Sequence, residues 1–185
     1  MKNPLRFLCR SEDLTRRLEE SRPRLYRMAY AWTQNPALAD DLAQEALAKA
    51  LRKSGQLRDP AALNTWLFSI LSNCWRDHLR RHRETEDIDN VVLLHEETPE
   101  REHDDRQIVD KVRSAIARLP EGQRQVVTLV DLEGFTYMEV ARILEIPIGT
   151  VMSRLCRAHS ALRSRLLREF DRDPAAAQAR FRRIK

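Results

Sequence analysis

Glycine is scarce, with 4 residues in 185, while charged residues make up 33% of the chain. That balance disfavours a turn-rich all-β domain and favours helices. Only Val126 to Val130 could pass for a short strand, and no second candidate exists to pair with it. The run is therefore read as buried helix. Cysteine is equally sparse. Cys9, Cys74 and Cys156 stand far apart and form neither a CxxC pair nor a metal-ligand spacing. A disulfide scaffold and a zinc site are excluded, and a reducing, cytoplasmic setting is expected. No apolar run is long enough to span a bilayer, so no membrane insertion is expected. Leu5, Phe7 and Leu8 are broken by Arg6 and followed by Arg10, so no secretory signal is expected either. A GxxxxGK[ST] phosphate cradle is missing. No Ser/His/Asp set, metal cluster or paired acids can be argued from spacing, so neither an enzyme nor a cofactor is expected.

What the chain does have is charge in blocks. The net charge is +5. Residues 84–106 carry 10 acids against Arg101 and Arg106, a net of −8, with Val91 to Leu94 as the one apolar run. Such a stretch cannot bury enough surface to fold alone and reads as a linker. His95 and His103 lie among these acids without ligand spacing and read as solvated. Residues 142–185 carry 11 bases and 4 acids, a net of +7. Two basic units on an acidic tether point to an anionic partner more clearly than the total charge does.

Within residues 12–34, Leu14, Leu18, Leu25, Met28, Ala29 and Trp32 form an apolar face, with a kink or restart expected at Pro23. Asn35-Pro36 reads as N-cap and first residue of a helix to about Lys53, stopped by Gly55. Leu38, Leu42, Ala46 and Ala50 line one side of it, and Asp40, Asp41, Gln44 and Glu45 lie on the other side or its edge. That acidic face has the look of a solvated surface. Asp59-Pro60 opens a segment to Arg83 with Trp66, Leu67, Ile70, Leu71, Cys74 and Trp75 on its apolar side. Asn73, Arg76, Asp77, Arg80 and Arg81 form its polar, mostly basic side. Cations at a helix C-terminus suit the helix dipole. Beside aromatics they also suit a single-stranded phosphate backbone. Ile108, Val112, Ile116 and Leu119 mark a helix ending before Pro120, and Glu121 to Leu132 a buried one ended by Gly134.

Thr136 to Arg165 reads as two helices and a tight turn. Thr136 and Glu139 form a capping box, the first helix stops near Glu145, and Pro147 suits the first turn of the second. Val151, Leu155, Ala158 and Leu162 make an apolar stripe. Gly149, Ser153, Cys156 and Ser160, flanked by Met152 and Arg157, form the opposite face. That shape fits a DNA major groove, and it also fits an ordinary helical hairpin.

Taken together, the chain resembles the sigma-70 family, in its small extracytoplasmic-function type. DDLAQEAL resembles the family's DLxQE segment, and NTWLFSILSNCWRDHLRR its WLxxIxxNxxxDxxR segment. IARLPEGQRQVVTLVDLEGFTYMEVARILEIPIGTVMSRLCRA resembles its C-terminal domain almost throughout. The resemblance implies an all-α protein of two small helical domains, residues 12–83 and 107–170, joined by the acidic flexible linker 84–106 and followed by a mobile basic tail, 171–185. It implies a promoter-directing transcription initiation factor with core RNA polymerase, promoter DNA and an anti-sigma factor as partners. Asp41, Gln44 and Glu45 would dock on the clamp helices of the polymerase β′ subunit, with further contact to the β subunit. An acidic face without basic partners of its own fits that docking. Trp66, Asn73, Arg76, Arg80 and Arg81 would border the melted −10 strand, although Trp66 reads first as a core residue. Residues 56–65 correspond to the loop that captures a flipped base. Thr150, Met152, Ser153, Cys156 and Arg157 would face the −35 duplex, with Arg154 nearer the core. Met152 and His159 stand where the family often has bases, Cys156 where it has larger side chains, and Leu51 where it often has tryptophan.

A stand-alone helix-turn-helix regulator with an N-terminal helical sensor would share the C-terminal half. It would leave DDLAQE and the tryptophan-arginine segment unexplained. The 23-residue linker spans ~26 Å as a free coil and ~75–80 Å extended. Promoter elements one and a half turns apart lie ~50 Å apart, so a stretched linker is expected.

Overall fold

The computed structural model describes residues 4–57, 59–85 and 104–171. The expectations for the linker, for His95 and His103 and for the basic tail lie almost wholly outside them. Among the described residues every regular element is helical. The N-terminal unit comprises α1 (Pro4–Thr33), α2 (Pro36–Arg52) and α3 (Leu63–Thr85). The C-terminal unit comprises α4 (Asp104–Ala117), α5 (Glu121–Val127), α6 (Tyr137–Leu144) and α7 (Ile148–Asp171).

α1 continues through Pro23, so of the kink or restart expected there the restart does not occur. Pro23 and Glu19 are both exposed. The Glu19 carbonyl, which loses its partner to the proline ring, therefore faces water and can be hydrated. Gln34 closes α1 in the left-handed region at φ 54. Asn35 then caps α2, its side-chain oxygen accepting from Leu38 N at 3.1 Å, with Pro36 at the first helical position. Asp59 accepts from Ala61 N at 2.9 Å and opens a short 3-10 turn, Pro60–Ala62, ahead of α3.

In the C-terminal unit α5 widens into a π turn, Thr128–Leu132. Gly134 ends it at φ 74, a conformation that a Cβ would strain. The apolar run Val126 to Leu129 is buried helix, as its sequence indicates. Thr136 and Glu139 form the expected capping box, with Thr136 N donating to Glu139 Oε2 at 2.9 Å and Glu139 N to Thr136 Oγ1 at 3.3 Å. Glu145 takes the left-handed position after α6 at φ 55. The α7 stripe Val151, Leu155 and Ala158 is buried. Most buried apolar residues of both units form one continuous cluster, to which Ala115 and Ile116 of α4 do not belong.

The capping box gives the first prediction. The Thr136 backbone N–H and then its hydroxyl hold the Glu139 carboxyl below the usual carboxylate range. A depressed carboxylate stabilises the fold fully above the ordinary pKa and loses that stabilisation as pH falls through the lowered value. Thr136→Ala should cost about 1 kcal/mol at neutral pH. It should also flatten the acid limb of thermal stability, read by melting curves across acidic pH. An unchanged melting temperature and acid limb would contradict the cap's role.

Candidate nucleic-acid interface

α3 presents a polar face built from residues one and two heptads apart. Trp66, Asn73 and Arg80 recur at i, i+7 and i+14 and so point to one side, with Arg76 and Arg81 flanking them. Trp66 is half-buried and packs against the core, while Asn73 is partly accessible. Arg80 is exposed and pairs with Asp77 at 3.1 Å, and Arg81 Nε donates to the Asp77 carbonyl at 3.3 Å. Trp75 stacks on His78 at 5.6 Å, and His78 meets His82 edge-on at 5.3 Å. Burial first, then His82 and Arg81, push the His78 imidazole down. Cys74 is buried beneath the face, and that burial pushes its thiol up, away from reactive thiolate. Arg76 turns toward the C-terminal unit, donating to Glu145 Oε2 at 2.9 Å and to the Leu144 carbonyl at 3.0 Å.

The acidic face of α2 requires one correction. It is not without basic partners of its own. Lys49 pairs with Glu45 at 2.8 Å, one turn along the helix. Arg22 from α1 pairs with Asp40 at 2.7 Å, and Gln44 donates to Asp40 at 2.6 Å. Periodicity puts these residues on one face but does not show which cations the neighbouring turns bring to it. Asp41 is exposed, and its side chain has no hydrogen bond or ion pair among the described residues.

On α7, Met152, Ser153, Cys156 and Arg157 are all exposed, and Thr150 is partly accessible. Arg157 folds back along its own helix, with Nε on the Ser153 carbonyl at 3.1 Å and a terminal nitrogen on Ser153 Oγ at 3.3 Å. Ser153 Oγ donates in turn to the Thr150 carbonyl at 3.1 Å. Arg154 points inward, its guanidinium lying 3.0 Å from where a Cβ on Gly122 would sit. The missing side chain at Gly122 makes room for it. His159 pairs with Asp131 at 2.7 Å, tying α7 to the π turn.

Sequence comparison now decides the family. Residues 18–85 match Sigma-70 region 2, and residues 110–162 match Sigma-70, region 4. The ECF RNA polymerase sigma factor EcfG of Rhodopseudomonas palustris is 36% identical over 143 residues, covering 76% of this chain and 77% of that protein. The chain belongs to the sigma-70 family. The RNA polymerase sigma-H factor of Pseudomonas aeruginosa is 37% identical over 136 residues, covering 67% of this chain and 70% of that one. Among solved structures, the sigma factor RpoE of Bartonella quintana, in complex with the anti-sigma factor NepR, aligns with a TM-score of 0.70 at 28% identity. It covers 84% of this chain and 97% of that one. As an extracytoplasmic-function sigma factor the chain is a promoter-directing transcription initiation factor, not an enzyme. No described helix is long and apolar enough to cross a membrane.

Sequence reasoning missed the polar residues through which the sigma factor's two units meet. Trp32 Nε1 donates to Thr128 Oγ1 at 2.9 Å in a fully buried contact. Arg24 reaches Glu133 with two nitrogens, at 2.9 and 2.6 Å. Trp75 Nε1 donates to Glu121 at 3.1 Å, and Thr65 Oγ1 to Glu139 at 3.3 Å. Phe68 meets Phe135 edge-on at 5.0 Å between ring centres. The apolar pattern marked Trp32 as buried, but nothing near it in sequence signals its partner.

Proposed function

We propose that the N-terminal unit, residues 12–83, docks on core RNA polymerase and holds the unpaired −10 strand, while residues 107–170 read the −35 duplex. Residues 84–106 form the acidic tether between them, and 171–185 a basic tail. Asp41, Gln44 and Glu45 are the proposed contacts to the β′ clamp helices, with the β subunit as a further docking surface. Trp66, Asn73, Arg76, Arg80 and Arg81 are the proposed −10 residues. Thr150, Met152, Ser153, Cys156 and Arg157 are the proposed −35 residues.

The observation that carries this reading is that two polar surfaces, one on α3 and one on α7, belong to units matched in order to regions 2 and 4. Opening DNA would run on binding energy alone. Flipping a base costs a few kcal/mol, and stacking and pocket contacts of roughly 1–3 kcal/mol per base offset that. Neither unit is large enough to dock and melt by itself, which is the physical reason for a polymerase partner. The similarity to a sigma factor solved with NepR supports an anti-sigma protein as regulator, and a cytoplasmic site of action goes with both partners.

Co-purification tests the docking. A tagged chain should retain core polymerase subunits through washes at moderate salt. A chain that binds promoter duplex but retains no core polymerase would overturn the reading in favour of a stand-alone regulator.

A further inference from the structure

The exposed face of α7 divides into two strips. Thr150, Ser153 and Arg157 form a polar strip, joined by their own hydrogen bonds. Ile148, Met152 and Cys156 recur at i, i+4 and i+8 and form an apolar strip along the other edge. All three are exposed, Met152 at 54% and Ile148 at 47%. Single exposed apolar side chains are ordinary. Three on successive turns call for a partner, because the buried stripe Val151, Leu155 and Ala158 already supplies this helix with its core contacts. Gly149 lies between the strips, and a Cβ there would meet nothing within 4 Å, so the first turn is open to close approach.

Cations are few on the same face. Of the two arginines in residues 148–158, Arg154 packs toward Gly122, which leaves Arg157 outward. His159 is held by Asp131 at 2.7 Å. Bidentate pairing with guanine from this face is therefore limited to Arg157. The apolar strip has a different match. In the major groove thymine alone carries an apolar group, its C5 methyl, which apolar side chains contact. Over cytosine or adenine the same side chain would cover an amino group and offer no acceptor. Over guanine it would cover two acceptors and offer no donor. A buried polar group left unpaired is costly, so the strip both favours thymine and rejects the other bases.

We propose that Ile148, Met152 and Cys156 read thymine methyl groups in the −35 duplex, with Met152, the longest and central side chain, making the main contact. The proposal rests on the assignment of α7 to the −35 duplex. It adds the class of base read, A·T pairs presented to the apolar strip. Burying one methyl-sized group from water supplies a preference of about fourfold, so each methyl contacted should count for that much. Methionine suits the task, because its unbranched thioether chain adapts to where a methyl lies.

Removing the methyl alone tests this. Core polymerase carrying the chain is offered two pools of duplex DNA randomised along their length, one made with thymine and the other with deoxyuridine. Bound duplexes are recovered and sequenced. With the wild-type chain, at least one position of the upstream motif should favour thymine in the first pool and lose that preference, by the factor above, in the second. Met152→Ala should abolish the difference between pools, and Met152→Leu should keep most of it. Upstream thymines enriched equally in both pools, or an upstream motif without A·T pairs, would overturn the proposal and leave α7 as the −35 reader. No upstream motif at all would overturn that assignment, and the methyl reading with it. Core polymerase affinity is measured in parallel, since an apolar strip also suits a protein. Affinity lost in Met152→Ala, with the difference between pools unchanged, would assign the strip to polymerase and overturn the proposal.

Discussion

Asp41→Ala with Glu45→Ala should lower affinity for core polymerase by at least about tenfold while leaving the fold intact. The fold should survive because these carboxylates contribute little to it. The Asp41 side chain is exposed and without a partner among the described residues. Glu45 has a partly exposed one-turn pair with Lys49, a type worth ~0.3–0.5 kcal/mol. At an interface the balance changes. Removing one partner of a desolvated charge pair costs roughly 2–5 kcal/mol, because the partner's charge stays buried and unpaired. A loss of 1.4 kcal/mol is already tenfold. The Lys49 pair also ranks the two residues. Glu45 must give up or share Lys49 on docking, whereas Asp41 gives up nothing, so Asp41→Ala alone should account for most of the loss. Binding titrations with circular dichroism as control would check this. Full affinity in the double variant would remove α2 from the docking surface.

Arg157→Ala should reduce transcription from a −35-dependent promoter by about tenfold and leave polymerase affinity unchanged. Arg157 is held back on its own helix by Ser153. Hydrogen bonds at such an exposed site are weak in net terms, ~0.5–1.5 kcal/mol, so the guanidinium can swing out cheaply. A bidentate contact to guanine is worth roughly 1–3 kcal/mol of discrimination. Loss of activity confined to one −35 base pair would identify base reading. A uniform loss across sequences, with a shallower salt dependence, would identify a phosphate contact instead. Full activity on the cognate promoter would take Arg157 out of the site.

Much of this is legible in the sequence alone. Thr136 and Glu139 announced a helix start, Asn35-Pro36 another and Gly134 a stop, because caps and turns are set by neighbours within a few residues. The apolar stripes of α1, α2 and α7 were legible for the same reason. Pro23 restarts no helix, a point sequence leaves open because it does not tell whether the orphaned carbonyl faces water or core. The acidic face of α2 was found, but its pairing with Arg22 and Lys49 depends on how α1 lies beside α2 and on rotamers along α2 itself. The contacts between the two units were not legible. Trp32 and Thr128 are 96 positions apart, and periodicity says which face seeks cover without saying what covers it.

The most direct test of the account is run-off transcription by core RNA polymerase on genomic fragments, including the region upstream of the chain's own coding sequence. With the chain added, RNA of discrete length should start from defined sites, and those transcripts should vanish when the chain is left out. Polymerase that carries the chain and yet starts no RNA at any defined site would contradict it.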